Sequence, residues 1–229
     1  MLGLVVALMV PGLLAAGAEL PDRGGGERSE RLLTTSSSSA GPEQPGGEVP
    51  RLRARLRRVA RVNVKQAREV VLQGDWAVVC QNLGGMTLLN VRNPARPRVV
   101  TIFSPETVQA MHAAFAGKDL LVIADRFRGL RLWRTELPSD IEELATLLLP
   151  GVPNHVALFS RQDERFAAVA CGGAGLAVVN ITDPRQPRLV STFSFDSDFA
   201  RRVLVDGEGL GMLADQFDGG LKFLDLSDP

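Results

Sequence analysis

The chain has 229 residues, 45% of them hydrophobic, with 26 basic side chains against 26 acidic ones. That length accommodates a leader and one good-sized domain, and the balanced charge excludes both a global basic bias toward nucleic acid and an acidic tail. Two cysteines without CxxC spacing exclude a disulfide framework and a cysteine zinc site, and two histidines leave little for a histidine metal centre.

The chain opens MLGLVVALMVPGLLAAGAEL, with no charge before Glu19. The apolar run is shorter than the roughly 20 residues that a spanning helix needs. Ala16-Gly-Ala18 fits a small-x-small cleavage site, so residues 1–18 are expected to be a signal peptide. A basic n-region is missing, and an uncleaved anchor or a misassigned start codon are the alternatives. No cysteine follows the run to carry a lipid. The expectation is a secreted, periplasmic or cell-surface protein with no membrane span in the mature chain. Residues 19–50 are rich in Gly, Ser, Pro and Glu and bury too little apolar surface to order themselves, which predicts a disordered linker.

Residues 51–58, RLRARLRR, alternate Leu52, Ala54 and Leu56 with arginine, the pattern of a half-buried strand. The arginines at 51, 53, 55, 57, 58 and 61 have no interleaved aromatics on which bases could stack, so they read as a solvated face and no nucleic-acid partner is expected.

From residue 67 a repeat begins. Gly85, Gly129, Gly175 and Gly220 each precede an apolar strand and recur at intervals of 44, 46 and 45 residues. Pro94, Pro138, Pro184 and Pro229 keep the same intervals. Before each glycine comes a short apolar run, WAVVC, LLVIA, FAAVA or GMLA, and before that a further one, REVVLQG, HAAFAG, HVALFS or RRVLVDG. After the proline stand PRVVTIF and PRLVSTF. Each unit thus predicts four short strands in about 45 residues, the mark of an all-β propeller of antiparallel blades. The units run about 67–107, 108–153, 154–198 and 199–229 within a domain spanning 51–229. Runs apolar throughout, such as Leu176-Ala-Val-Val-Asn180, suit strands covered on both faces by neighbouring blades.

The segments GKDLLVIADRFRGLRLW, FAAVACGGAGLAVVNITDPRQPRLVSTF and LGMLADQFDGGLKFLDLSDP resemble the repeat of the LVIVD-repeat family. The resemblance covers roughly residues 67–229. It implies a β-propeller of the kind found in secreted or cell-surface bacterial and archaeal proteins, with no single activity attached. Tyrosine is absent here, and the second unit ends WRTELPSD where the family pattern has an Asp-Pro turn.

In the second unit, SDIEELATLLLP carries a capping-box spacing, Ser139 and Glu142, and places Ile141, Leu144, Ala145 and Leu148 on one helical face. The period demands an outer strand there, and a strand near 144–148 is expected. The last unit stops at LDLSDP, so the ring is either an incomplete piece of a larger propeller, the preferred reading, or is closed at its N-terminal end by 51–58 as the outer strand of a four-blade ring.

Arg68, His112, His155 and Arg201 recur at intervals of 44, 43 and 46 at the start of the first strand of each unit. That strand lies nearest a propeller's axis, so the four are candidate ligand-binding residues at the channel rim, suited to an anion or carboxylate. His112 and His155 have no third metal ligand placed beside them. Cys80 and Cys171 fall a full blade apart, beyond disulfide reach, and read as small core residues. The acidic residues of FDSDF, Asp215 and Asp218 lack a calcium-loop spacing. Asn180-Ile-Thr182 matches a glycosylation sequon, but Asn90 and Asp225 share its place in the repeat, which favours a turn role. No phosphate loop, nucleophile elbow or carboxylate pair assigns an activity, and no cofactor is expected. The function read from the sequence is a binding or scaffold module for an unknown protein or small anionic ligand. The alternative is a propeller hydrolase or lyase with a metal or anion site at the channel mouth.

Overall fold

The computed structural model describes residues 57–104, 106–136, 140–194, 199–217 and 219–227. All of its strands belong to one unit, Arg58–Pro229. The expected signal peptide, the linker and residues 51–56 lie outside the described residues, as do Pro138, Ser139, Pro229, Asp218 and residues 195–198. Arg58, at the end of the expected N-terminal strand, is not in a strand.

Among the described residues, fifteen strands form four antiparallel sheets in a four-blade propeller arrangement. The first blade holds β1 (Glu69–Gln73), β2 (Trp76–Cys80), β3 (Met86–Asn90) and β4 (Arg98–Phe103). The second holds β5 (Ala110–Phe115), β6 (Leu120–Asp125), β7 (Gly129–Glu136) and β8 (Asp140–Leu147). The third holds β9 (His155–Arg161), β10 (Glu164–Ala170), β11 (Leu176–Asn180) and β12 (Arg188–Phe193). The fourth holds β13 (Ala200–Val205), β14 (Leu210–Asp215) and β15 (Leu221–Asp225). A short 3-10 turn, Asn82–Gly84, is the only helical element among the described residues. Within each sheet the strands follow chain order, so every turn joins sequence neighbours.

The strands form where β-branched and apolar residues run between turn signals. Asn90, Asn180 and Asp225 share one job. Each accepts, through Oδ1, the backbone N–H two residues on, from Arg92, Thr182 and Ser227 at 3.1, 2.9 and 2.9 Å. This closes the turn after the third strand as an Asx-turn. Gly175 has φ of +82°, and a Cβ there would lie 2.0 Å from the Phe193 carbonyl oxygen. Only glycine allows the outer strand to approach that closely.

Three apolar layers weld the blades. Val78, Met86 and Leu88 of the first meet Leu121, Ile123 and Trp133 of the second. Val122, Leu130 and Leu132 meet Ala167, Val169 and Val179 of the third. Phe166, Leu176 and Val178 meet Val203, Leu213 and Leu226 of the fourth. The opposite face of the first blade, Ala77, Val79 and Leu89, is covered by Val62 and Val64.

Residues 140–147 form a strand, β8, paired along β7 from Glu136↔Asp140 to Leu130↔Leu147. The outer-strand expectation for this segment therefore holds. Its helical pattern loses because the exposed edge of β7 offers a full ladder of hydrogen bonds.

A candidate ligand-binding face at the channel mouth

β1, β5, β9 and β13 are the first strands of their blades and lie next to one another along the axis, β5 against both β1 and β9, and β9 against β13. His112 faces Ala124 across its sheet and His155 faces Ala170, equivalent places in the second and third blades. The structure brings the two together: their rings stack at 3.8 Å between centroids and 24° between planes. Val156 N–H donates to His112 Nδ1 at 3.4 Å, whereas the buried Nδ1 of His155 has no partner.

Burial, then the neighbouring His155, Arg202 and Arg68, pushes His112 down to about 3. Burial and Arg202 push His155 down to about 4, opposed by a hydrogen bond with the Val203 backbone. Both rings are therefore neutral at neutral pH, and their contribution to the rim is polar rather than cationic.

The same facing position is held by Glu69, opposite Cys80, in the first blade and by Arg202, opposite Ala214, in the fourth. Arg201 occupies a bulge between Ala200 and Arg202, and Arg68 precedes β1. In the fourth blade the count along the chain lands on the bulged residue, and in the first, whose pairing has no bulge, on the residue before the strand. Sequence reasoning missed Glu69 and Arg202; the small residue at or one before the end of each second strand, Cys80, Ala124, Ala170 and Ala214, was the available signal. An ion pair joins Arg202 Nη2 to Glu69 Oε2 between the first and last blades.

Arg68 and Arg201 both remain partly exposed at this end. Arg201 Nη1 donates to Asn154 Oδ1 at 3.4 Å. Burial lowers the guanidinium pKa of Arg68, and the positive charge of Arg201 lowers it further.

The turns between second and third strands open at the same end, since Asp125 pairs with Ala110 and Asp215 with Ala200. Asp125 Oδ1 accepts the N–H groups of Phe127 and Arg128 at 3.0 and 3.1 Å, and its Oδ2 accepts Gln109 N–H at 3.1 Å. Asp215 holds its turn in the same way, accepting from Phe199 and Phe217. The hydrogen bonds that shape these turns leave their apolar tips outward. Leu83, Phe127 and Phe217 are 53%, 67% and 64% exposed. An open hollow of about 170 Å³ lies beside Phe127, between Gln109, Asp125 and Arg128.

The remaining candidates behave as core and turn. Cys80 and Cys171 are free and buried, and burial raises both thiols to about 12. Among the described residues no three His, Cys, Asp or Glu side chains are grouped as a metal would need, and no helix is long and apolar enough to cross a membrane.

The LVIVD repeat model matches residues 65–104, which hold the first blade, and 163–194, which hold the last three strands of the third. Among solved structures the chain is similar to the computationally designed Ika4 protein, at 11% identity and a TM-score of 0.52, over 72% of this chain and 94% of that one. Likeness at that identity speaks for the fold. No curated protein matches the sequence.

Proposed function

We propose that this chain, a β-propeller carrying LVIVD repeats, is an exported binding or scaffold module that contacts its partner through the channel-mouth face. The observation that carries the reading is the set of exposed tips, Leu83, Phe127 and Phe217, at the same end of the blades as Arg68 and Arg201. Apolar residues held out by a rigid turn lose little entropy on contact, and a pair of cations selects an anionic group. The fitting partner is a protein surface presenting a carboxylate among apolar residues, or a small anionic ligand with an apolar part. Export is supported by the uncharged apolar run before Glu19 and its Ala16-Gly-Ala18 site.

Chemical crosslinking of the full chain, followed by mass spectrometry, tests the surface. The triple variant Leu83→Ser, Phe127→Ser, Phe217→Ser loses the crosslinked partner, while Val100→Ser with Val190→Ser on the outer strands keeps it. Capture unchanged by the triple variant, or turnover of a small molecule without capture, would overturn the reading. For export, the recovered mature protein begins at Glu19; an intact Met1 in the exported fraction contradicts it.

A further inference from the structure

The channel-mouth face carries more positive charge than its own side chains offset. Beyond burial, the largest influence on it, the Arg68 guanidinium feels the like charges of Arg201, Arg202 and Arg126 and the opposite charge of Glu69. Glu69 is already committed, since its Oε2 pairs with Arg202 Nη2. The turn carboxylates at this end are engaged as well: Asp125 pairs with Arg131 at 3.2 Å and Asp215 with Lys222 at 3.5 Å. Among the described residues the hydrogen-bond partner of the Arg201 side chain is the uncharged Asn154 Oδ1, at 3.4 Å. Four guanidinium groups thus stand against one carboxylate.

A second observation adjoins them. His155 follows Asn154 in the chain, stacks on His112, and feels the charge of Arg202 once burial has acted. It is only 7% exposed. Its hydrogen bond with the Val203 backbone favours the protonated ring, as donation to a carbonyl does, while the buried Nδ1 has no partner. The neutral ring has a single N–H and spends it on Val203, so Nδ1 keeps a lone pair. A buried polar atom in that state costs free energy until a partner arrives.

We propose, on the reading of this end as the docking face, that the mouth binds a small anion bearing two or more negative charges, a phosphoryl group or a dicarboxylate, among Arg68, Arg126 and Arg201, and that His155 takes up a proton from solvent as the anion binds. Guanidinium groups donate paired hydrogen bonds to such an anion, and a dianion offsets two like charges at once. Before binding, burial and Arg202 keep His155 neutral. The anion reverses that field, and a proton on Nδ1 gives the orphaned position a hydrogen to donate. Of the strands packed against β9, β5 brings His112, β13 brings Arg201 and Arg202, and β6 brings Asp125, already paired. β10 sets Ala170 opposite the ring and holds its charged Glu164 and Arg165 at the far end. His112 is the competitor for the proton, and burial, His155 and two arginines hold it lower, at about 3 against about 4.

Isothermal titration calorimetry of the full chain at constant ionic strength tests this with sulfate, a dianion at every pH used, and with malonate for the dicarboxylate class. Saturable binding of at least one is expected, and acetate gives none. Arg68→Gln and Arg201→Gln each weaken it about tenfold, the range of one charged hydrogen bond, with little change in melting temperature. Arg96→Gln, in the exposed turn before β4, leaves it unchanged. Sulfate titrated at pH 6 in buffers of different ionisation enthalpy shows net proton uptake, which His155→Gln removes. In the parent, the imidazole nitrogen NMR signals of His155 move toward imidazolium as sulfate is added. No saturation with either dianion, equal binding of acetate, full affinity in both arginine variants, or binding without proton uptake at His155 would overturn the proposal. The crosslinking experiment separates it from the docking reading. Partner capture without dianion binding overturns this proposal and leaves the docking face standing, whereas dianion binding without capture overturns the docking face alone.

Discussion

At the residue scale, the paired histidines make a measurable prediction. His112 and His155 titrate near 6.5 when unfolded, against about 3 and about 4 when folded. The unfolded chain thus binds more protons below pH 6.5, and stability, full above that value, falls as pH drops toward the folded values. By pH 5 each histidine removes about 2 kcal/mol. Urea unfolding from pH 7.5 to 5, above the usual carboxylate range, shows this slope. His112→Gln halves it, and a slope identical to the parent's in both His112→Gln and His155→Gln would refute the assignment. A second site is Arg131, a fully buried cation 3.2 Å from the equally buried Asp125 and also paired with Glu143. It donates to the Thr107 carbonyl at 2.6 Å and lies 4.9 Å over the Trp133 ring. Arg131→Met strands Asp125 and costs about 3 kcal/mol, whereas Arg134→Met, at a half-exposed ion pair, costs under about 1. Equal urea midpoints for the two would contradict this.

At the scale of the element, turns and edges decide what the segments become. The glycine before the third strand was legible as a left-handed position, because the same residue recurs at a fixed period. The reason it tolerates no side chain was not legible, since it lies in the opposing strand. Gly117, at φ +84°, has nothing within 4 Å of its notional Cβ, whereas Gly175 meets Phe193. Gly117→Ala therefore costs about 1 kcal/mol, for the backbone conformation alone. Gly175→Ala costs about 3, because the outer strand must also move. Thermal melts of the two variants separate these terms; equal shifts would sink the contact argument. β8 teaches the converse. Its capping box and apolar spacing favour a helix locally, yet β7 holds it extended. Helix propensity amounts to tenths of a kcal/mol per residue and yields to a ladder of paired backbone groups.

At the scale of the whole molecule, burial at one repeat position differs from blade to blade. Leu88, Leu132 and Val178 are sealed by the next blade, and Phe223, in the same position, is 63% exposed. Leu132→Ala costs about 2–5 kcal/mol in cavity and transfer terms, and Phe223→Ala under about 1. Differential scanning calorimetry that ranks them the other way would show Phe223 buried in solution. The sequence alone determined the propeller, its four units and its glycine and Asx turns, because these depend on local chemistry repeated at one period. It also singled out residues on or next to the first strands, which lie beside one another in the structure, but spacing alone did not tell which residue faces the same way in each blade. Glu69 and Arg202 share the histidines' facing position, whereas Arg201 sits in a bulge and Arg68 stands just before β1. Only the tertiary structure decided that two histidines stack and stay neutral, that Glu69 pairs with Arg202, and that β15 is the outermost strand of its sheet among the described residues. The first two belong to contacts between blades, whose partners lie 43 to 133 residues apart.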